Sequence, residues 1–391
     1  MKIVFITSRV PWPLEKGDKL RAYHQLKNLS KKNKIILCAI NDTTLHPEAE
    51  TELKKFCEEI HIYNISKIQI FFNLLRGLFN GLPLQVAYFT STTAIAKINT
   101  LIQEKKPDRI FAQLIRSAEY ARYQKTIPTV LDYMDIFSKG IERRINKVNI
   151  LWRWLFKMEW KRLLKYEAAV YNDFDASTII SQQDRDLLPL PFPTSIAVIP
   201  NGVDTNFFKP FPATKDYELL FNGNMNYPPN IESVVYLVEK VLPIIWKKKP
   251  TLRLLISGAS PSNEVLALQS EKVTVTGWVD DIRLSFARSK ILVAPMQSSI
   301  GLQNKLLEAM AMKLPCITTS LSNNALKAIP DSQILVADSP EQFAIQIQLL
   351  LDRPEKAAQL AENGYKMVLD RFNWEQCCNL LENTILHVRK K

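Results

Sequence analysis

Paired cysteines are missing from this chain. It has five, Cys38, Cys57, Cys316, Cys377 and Cys378, an odd number with no Cys-x-x-Cys spacing. That argues against a disulfide framework and a zinc site and fits a reducing compartment. No stretch reaches the roughly 20 consecutive apolar residues of a membrane-crossing helix. The opening MKIVFITSRV is apolar for only a few residues before Arg9 closes it, so it reads as a buried first strand and not as a signal peptide. No Gly-x-Gly-x-x-Gly occurs, which disfavours a dinucleotide cofactor. Acidic residues are also short: 39 Asp and Glu against 51 Lys and Arg give a net charge of +12. The imbalance sits mainly in residues 1–204, with 30 basic and 21 acidic side chains, against 21 and 18 in residues 205–391. Nucleic acid, anionic lipid or a phosphorylated substrate could each account for it. Nucleic acid is disfavoured, because no recognised binding module accompanies the charge.

What remains is ordinary globular composition, 47% hydrophobic and 23% charged over 391 residues, enough for two domains with cores of their own. Strand-like runs at Lys2–Ser8, Lys34–Ile40, Ile60–Tyr63, Arg109–Ala112, Thr129–Asp132, Ser177–Ser181 and Ile196–Ile199 alternate with helical patterns. The first helix runs from Lys19 to Lys31, with Asp18 as its expected N-cap. The loop Pro11–Gly17 is long for a strand-to-helix turn, and such loops at strand ends hold ligands in open α/β sheets. The alternation restarts at Tyr217–Asn222 and continues through Leu252–Ser257, Lys272–Thr276, Ile291–Ala294, Cys316–Thr319 and Ile334–Val336. Gly223, Gly258 and Gly277 each follow a strand, where a missing side chain permits close approach of a ligand or of the next helix. The expected layout is α/β, with two Rossmann-like parallel-sheet domains facing a cleft: residues 1–200, a Pro- and Phe-rich linker at 201–216, a second domain at 217–372, and a final helix at 373–391 returning to the first.

The densest chemical signal lies in Ile291–Thr319, which reads strand, loop, helix, strand. Gly301 precedes the helix, whose free N–H groups and positive dipole end suit a phosphate. Lys305 falls in the first turn, and Glu308, three residues on, shares its side of the helix. A cation for phosphate and a carboxylate for sugar hydroxyls suit a nucleotide; an ordinary βαβ unit with a solvated Lys–Glu pair is the alternative. The adjacent Asp280-Asp281 reads as a turn or cap and not as a metal site.

Three segments together resemble the retaining family 4 glycosyltransferases of the GT-B fold. They are Ile199-Pro-Asn-Gly-Val-Asp204 with the following Phe and Pro, Gly277-Trp-Val-Asp280 with the Ile291–Pro295 strand, and Leu307-Glu-Ala-Met-Ala-Met-Lys-Leu-Pro315. The terminal Arg371-Phe-Asn-Trp374 resembles that family's crossover into the last helix. The resemblance implies transfer of a sugar from a nucleotide-sugar donor to a glycan or lipid-linked acceptor in cell-surface polysaccharide synthesis. It also implies that no metal or other cofactor is needed. Glu308 would accept the ribose hydroxyls. The family's first Glu would fall at residue 300, here Ile300, leaving Gln303 or Asn304 to meet the donor sugar. Where that family commonly has basic residues for the diphosphate, Gly223-Asn-Met-Asn-Tyr-Pro-Pro-Asn230 has no Lys or Arg, so Lys305 becomes the main phosphate candidate. The implied donor set is Gly17, Gly223, Asn224, Gly258, Val279, Gly301, Leu302, Gln303, Asn304, Lys305 and Glu308. Arg116 and Asp132, with Asp135, occupy strand ends on the acceptor side, where the family's histidine has no counterpart. A non-catalytic sugar-nucleotide binder and a nucleotide-sugar epimerase are the rival readings, the epimerase weakened by only four histidines. A cytoplasmic protein is expected, with peripheral contact to the inner face of an anionic membrane. The candidate contact regions are Ile68–Phe79 and Lys139–Lys165, where basic residues interleave with Phe and Trp.

Overall fold

A computed structural model describes residues 1–146, 148–188, 190, 193–298 and 301–390. The chain divides into two compact units, Met1–Pro200 with Trp374–Lys391, and Asn201–Asn373. Among the described residues the first holds seven strands: β1 Lys2–Thr7, β2 Lys34–Asn41, β3 Glu59–Asn64, β4 Arg109–Gln113, β5 Thr129–Asp132, β6 Ala176–Ile179 and β7 Ala197–Val198. Their order is β3-β2-β1-β4-β5-β6-β7, and every pairing is parallel. The period of two explains why these runs are apolar throughout. Val4, Ile6, Ile36, Cys38, Ile110 and Leu131 enter the core on one face, and Ile3, Phe5, Ile35, Leu37, Phe111 and Val130 enter the core on the other. A sheet covered by helices on both faces has no solvent side to reward polar residues.

The second unit repeats the plan with β8 Tyr217–Asn222, β9 Leu254–Ser257, β10 Val273–Val275, β11 Ser289–Ala294, β12 Cys316–Thr318 and β13 Leu335–Val336. Its order is β10-β9-β8-β11-β12-β13, again parallel throughout. Both sheets reverse direction of growth between their first strand and their fourth, and ligands in open α/β sheets bind at the strand ends beside that reversal. The two-sheet α/β architecture is the one the alternation of patterns predicts.

Local differences from the sequence reading have clear causes. The first helix spans Gly17–Leu29, so Asp18 lies inside its first turn and Lys16 takes the N-cap position. Asp18 instead receives Arg9 Nη1 at 2.6 Å. Residues 201–216 pack as part of the second unit: Val203 N–H donates to Phe372 O at 2.7 Å, and the Arg283 guanidinium lies 4.2 Å from the centre of the Phe207 ring. Lys139–Lys165 forms two helices, Phe137–Ile145 and Ile150–Asp173. The helix Trp374–His387 packs in the first unit, its Leu381 and Ile385 buried in the core there and Trp374 stacked on His24 at 4.6 Å.

Candidate active site

The reversal point of the second sheet lies between the C-terminal ends of β8 and β11. Phe221 and Asn222 end β8, and Gly223 follows in a turn. The chain leaves β11 through Pro295 and Met296 and, at Gly301, whose φ is +80°, turns into the helix Asn304–Ala311. Such a left-handed turn favours glycine because any Cβ would be strained there. Gln303 occupies the N-cap position without a side-chain bond to the helix. Its Nε2 donates instead to Gly301 O at 3.2 Å. Among the described residues the helix start therefore keeps backbone donors that no N-cap side chain satisfies, together with the positive end of the dipole.

Lys305 is not solvated. It is 8% exposed, and its Nζ donates to Asn230 Oδ1 at 2.7 Å. The ammonium sits 4.1 Å from the centre of the Phe221 ring and 3.8 Å from Met296 Sδ. Burial pulls its pKa down from 10.5 to about 7, partly opposed by Glu308. Glu308 keeps a rim in solvent, yet protein packs closely around its carboxyl group. That desolvation raises its pKa from 4.5 to about 7, opposed by Asn222 and by Lys305. Asn222 Nδ2 donates to Glu308 Oε2 at 3.4 Å, and Asn222 Oδ1 is buried with no partner among the described residues. A cation and a carboxylate, each short of compensating bonds, form a site that a diphosphate and a pair of hydroxyls would complete. The solvated-pair alternative does not hold.

Glycines floor this site. A Cβ on Gly223 would fall 2.7 Å from Asn230 Nδ2 and 3.3 Å from Lys305 Nζ. One on Gly258 would fall 1.9 Å from the Gly223 carbonyl oxygen. The close approach at Gly258 is therefore backbone to backbone, and its place in the implied donor set becomes a supporting one. Asn224 is half-buried; its backbone carbonyl accepts Asn230 Nδ2 at 2.9 Å and its side-chain Oδ1 accepts Asn226 N–H at 2.9 Å. Leu302 is buried. Asn304 Oδ1 accepts Asn201 Nδ2 at 3.1 Å. Val279 is half-buried in the loop after β10, on the same C-terminal edge of the sheet. Ile300 lies outside the described residues. Asp281 caps the helix Ile282–Ala287 through Arg283 N–H, the cap the sequence suggests. The sequence reading passed over Asn230 and Asn222. Asparagine behind two prolines in the first turn of the helix Pro228–Tyr236, or at a strand end, carries no spacing signal; only the fold brings both to the Lys305–Glu308 pair.

In the first unit one expectation needs correction. Asp132 is fully buried. Its carboxylate takes Arg21 Nε at 2.6 Å and Nη2 at 3.2 Å, Gln25 Nε2 at 3.2 Å and Thr178 Oγ1 at 2.9 Å. With its oxygens occupied and enclosed it ties the first helix to β5 and β6, and no acceptor can reach it. Arg116, just past β4, fits the role better. Its guanidinium lies 5.3 Å from the Phe89 ring centre and 4.7 Å from that of Phe137. Nη2 donates to Gln85 Oε1 at 3.0 Å, while Nε is buried with no partner among the described residues. Burial, and then Arg9, lower its pKa to about 10. Arg9, at the end of β1, lies 5.3 Å from the same Phe89 ring, so two guanidinium groups share that ring beside the reversal point of the first sheet. Asp135 also stays near this edge, its pKa raised to about 7 by burial and by Asp184. A Cβ on Gly17 would meet nothing within 4 Å, which leaves the start of the first helix open.

Solved structures similar to this chain share its fold. Sucrose-phosphate synthase from Thermosynechococcus elongatus aligns with TM-score 0.70 at 16% identity, covering 98% of each chain. Anabaena HepE, crystallised in complex with UDP-glucose, aligns with TM-score 0.70 at 14% identity, covering 98% of this chain and 99% of that one. With its two parallel Rossmann-like sheets, the chain has the fold of the GT-B glycosyltransferases. Residues 216–353, which carry the Lys305–Glu308 pair, match the family Glycosyl transferases group 1. Among curated sequences, an uncharacterized 44.6 kDa protein in the cps region of Klebsiella pneumoniae is 20% identical over 400 residues, 95% of this chain and 96% of that protein.

Proposed function

We propose that this protein transfers a sugar from a nucleotide-sugar donor to a glycan or lipid-linked acceptor, with retention at the anomeric carbon, in cell-surface polysaccharide synthesis. The observation that carries the reading is the desolvated Lys305 ammonium, in the first turn of a helix whose N-cap makes no side-chain bond and one turn from Glu308, at the β8–β11 reversal of the segment that matches glycosyl transferases group 1. HepE is crystallised with UDP-glucose, which makes UDP-glucose the first donor to test. The Klebsiella relative's place in a cps region supports a polysaccharide product.

In this scheme the bond from the anomeric carbon to the diphosphate breaks while the acceptor oxygen bonds to the same face. The acceptor proton passes to a donor phosphate oxygen, and no protein nucleophile is required. Lys305 and the helix dipole stabilise the charge gathering on the departing diphosphate. Glu308 holds the ribose, and Arg116 with Arg9 faces the acceptor. The test supplies a panel of nucleotide sugars with lipid-linked and soluble acceptors, reading nucleoside diphosphate release and product configuration by NMR. The expected result is turnover with one donor and retained configuration. Lys305→Ala lowers kcat/KM by about a hundredfold, the usual scale for one preorganised donor, and Glu308→Ala, which removes the acceptor of the ribose hydroxyls, lowers it as well, each with no loss of melting temperature. Saturable binding without turnover would leave a sugar-nucleotide binder, and an inverted product would sink the retaining mechanism.

A further inference from the structure

Away from the sheet ends, the first unit carries an apolar face with a basic cavity at its edge. The helix Lys67–Asn80 is held firmly on its inner side. Ile70 and Gly77 are buried, a Cβ on Gly77 would meet Ala87 Cβ at 2.7 Å, and Asn73 Nδ2 donates to Thr90 O at 2.7 Å. Its outer stripe is nevertheless aromatic and bare: Ile68 is 72% exposed, Phe72 62% and Phe79 89%. Residues 68, 72, 75 and 79 follow the 3.6-residue repeat, so they form one continuous face.

A second patch opens the helix Ile150–Asp173, where Leu151, Trp152 and Trp154 are exposed. The two helices are locked together. Arg162 donates to Gly77 O at 2.8 Å and to Leu78 O at 2.7 Å, and Glu159 accepts the N–H of Leu84, which opens the next helix, Leu84–Phe89, at 2.7 Å. Trp154 lies eight residues from Arg162, roughly 12 Å along the helix at 1.5 Å per residue.

Between the helices is a cavity of about 670 Å³ lined by Asn73, Arg76, Asn80, Arg162, Lys165 and Tyr166, among others. Glu119, also in its wall, is taken up by Arg122 at 2.7 Å and by the Tyr166 hydroxyl at 2.7 Å. Among the described residues no carboxylate pairs with Arg76 or Lys165, so the cavity is net positive. On the helical wheel Asn73, Arg76 and Asn80 form the stripe next to the bare aromatic one.

We propose that this face docks on an anionic lipid bilayer, with Phe72, Phe79, Trp152 and Trp154 in the interface and the Arg76–Arg162–Lys165 cavity receiving a lipid phosphate. Aromatic rings belong at the headgroup level, and basic side chains beside them supply the charge complement of an acidic leaflet. This goes beyond the proposed transfer reaction, and either can fail without the other.

The experiment is cosedimentation of the full chain with vesicles of phosphatidylcholine alone and with added phosphatidylglycerol, at low and high salt. Binding is expected only with phosphatidylglycerol, with release by salt. Phe72→Ser with Phe79→Ser should abolish it. Arg76→Gln with Lys165→Gln should weaken partitioning about 25-fold, at about fivefold per charge. All four side chains are exposed, so melting temperature and its shift by a nucleoside diphosphate should stay unchanged, which separates docking from folding and from the donor site. Four results would overturn the proposal. They are no sedimentation with either vesicle, equal binding to both, binding unaltered by the variants, and glycerol phosphate stabilising the wild type through Arg76 while vesicles do not bind. Light scattering that shows a dimer lost in Phe72→Ser with Phe79→Ser would assign the face to a second copy of the chain instead.

Discussion

At the scale of single residues, Lys305 and Glu308 are displaced toward the same pH from opposite sides. Glu308 has its folded pKa raised to about 7, so its contribution to stability is fully present below about 4.5 and fades as pH rises through 7. Lys305 has its folded pKa lowered to about 7, so its contribution is present above about 10.5 and fades as pH falls toward 7. The empty protein is therefore least favoured by this pair near neutrality, where a ligand is most useful to it. Glu308→Gln is expected to melt at a higher temperature than the wild type at pH 7, with the gap closing toward pH 4.5; differential scanning calorimetry across that range reads it. Affinity for a nucleoside diphosphate should peak near pH 7 in titration calorimetry. It should fall on the alkaline side as Lys305 loses its proton, and on the acid side as Glu308 gains one. A flat profile would mean the pair does not meet the ligand. The spacing of Lys305 and Glu308 was legible in the sequence. Their burial was not, because it depends on Phe221, Asn222 and Asn230, which lie 75 or more positions earlier in the chain.

At the scale of elements, the two glycine positions at helix and strand ends behave differently. Gly258→Ala forces a Cβ against the Gly223 carbonyl at 1.9 Å, so β8 and β9 must part just beneath Lys305. A stability loss of about 1–3 kcal/mol is expected, the cost of strained backbone, and chemical denaturation with a nucleotide thermal-shift assay should show both weakened folding and weakened donor binding. Gly17→Ala meets open space, so its stability should be unchanged or slightly raised. A drop in donor turnover in that variant would then report a ligand contact and nothing else. From sequence the two glycines look alike, each ending a strand or loop; only the packed neighbours tell a structural glycine from one that leaves room. The same limit explains Asp132. A carboxylate at a strand end suits a site by sequence alone, but the first helix brings Arg21 across it. Asp132→Ala would strand that guanidinium in the core, and a loss of about 3–5 kcal/mol is expected in urea unfolding.

At the scale of the molecule, the first unit is assembled from both ends of the chain. Leu381, Ile385 and Val388 complete the core that Phe5, Leu26 and Leu37 begin, and Arg109 Nε donates to Ile385 O at 3.0 Å. Removing residues 374–391 uncovers that face. With about 1.5–3 kcal/mol for each large apolar side chain returned to water, the truncated chain is expected to be insoluble or unfolded by circular dichroism. The sequence by itself determined the strand count, the parallel α/β class, the helix that starts after Gly301 and the family resemblance. Apolar periodicity and turn residues are local, and each can be read within a dozen positions. Only the tertiary structure decided that Lys305 is dry, that Asp132 is locked to Arg21, that Arg9 joins Arg116 over Phe89, and that a basic cavity borders the bare aromatic stripe. Those facts arise where distant segments meet, and charge, burial and hydrogen-bond satisfaction are properties of the meeting and not of either segment alone.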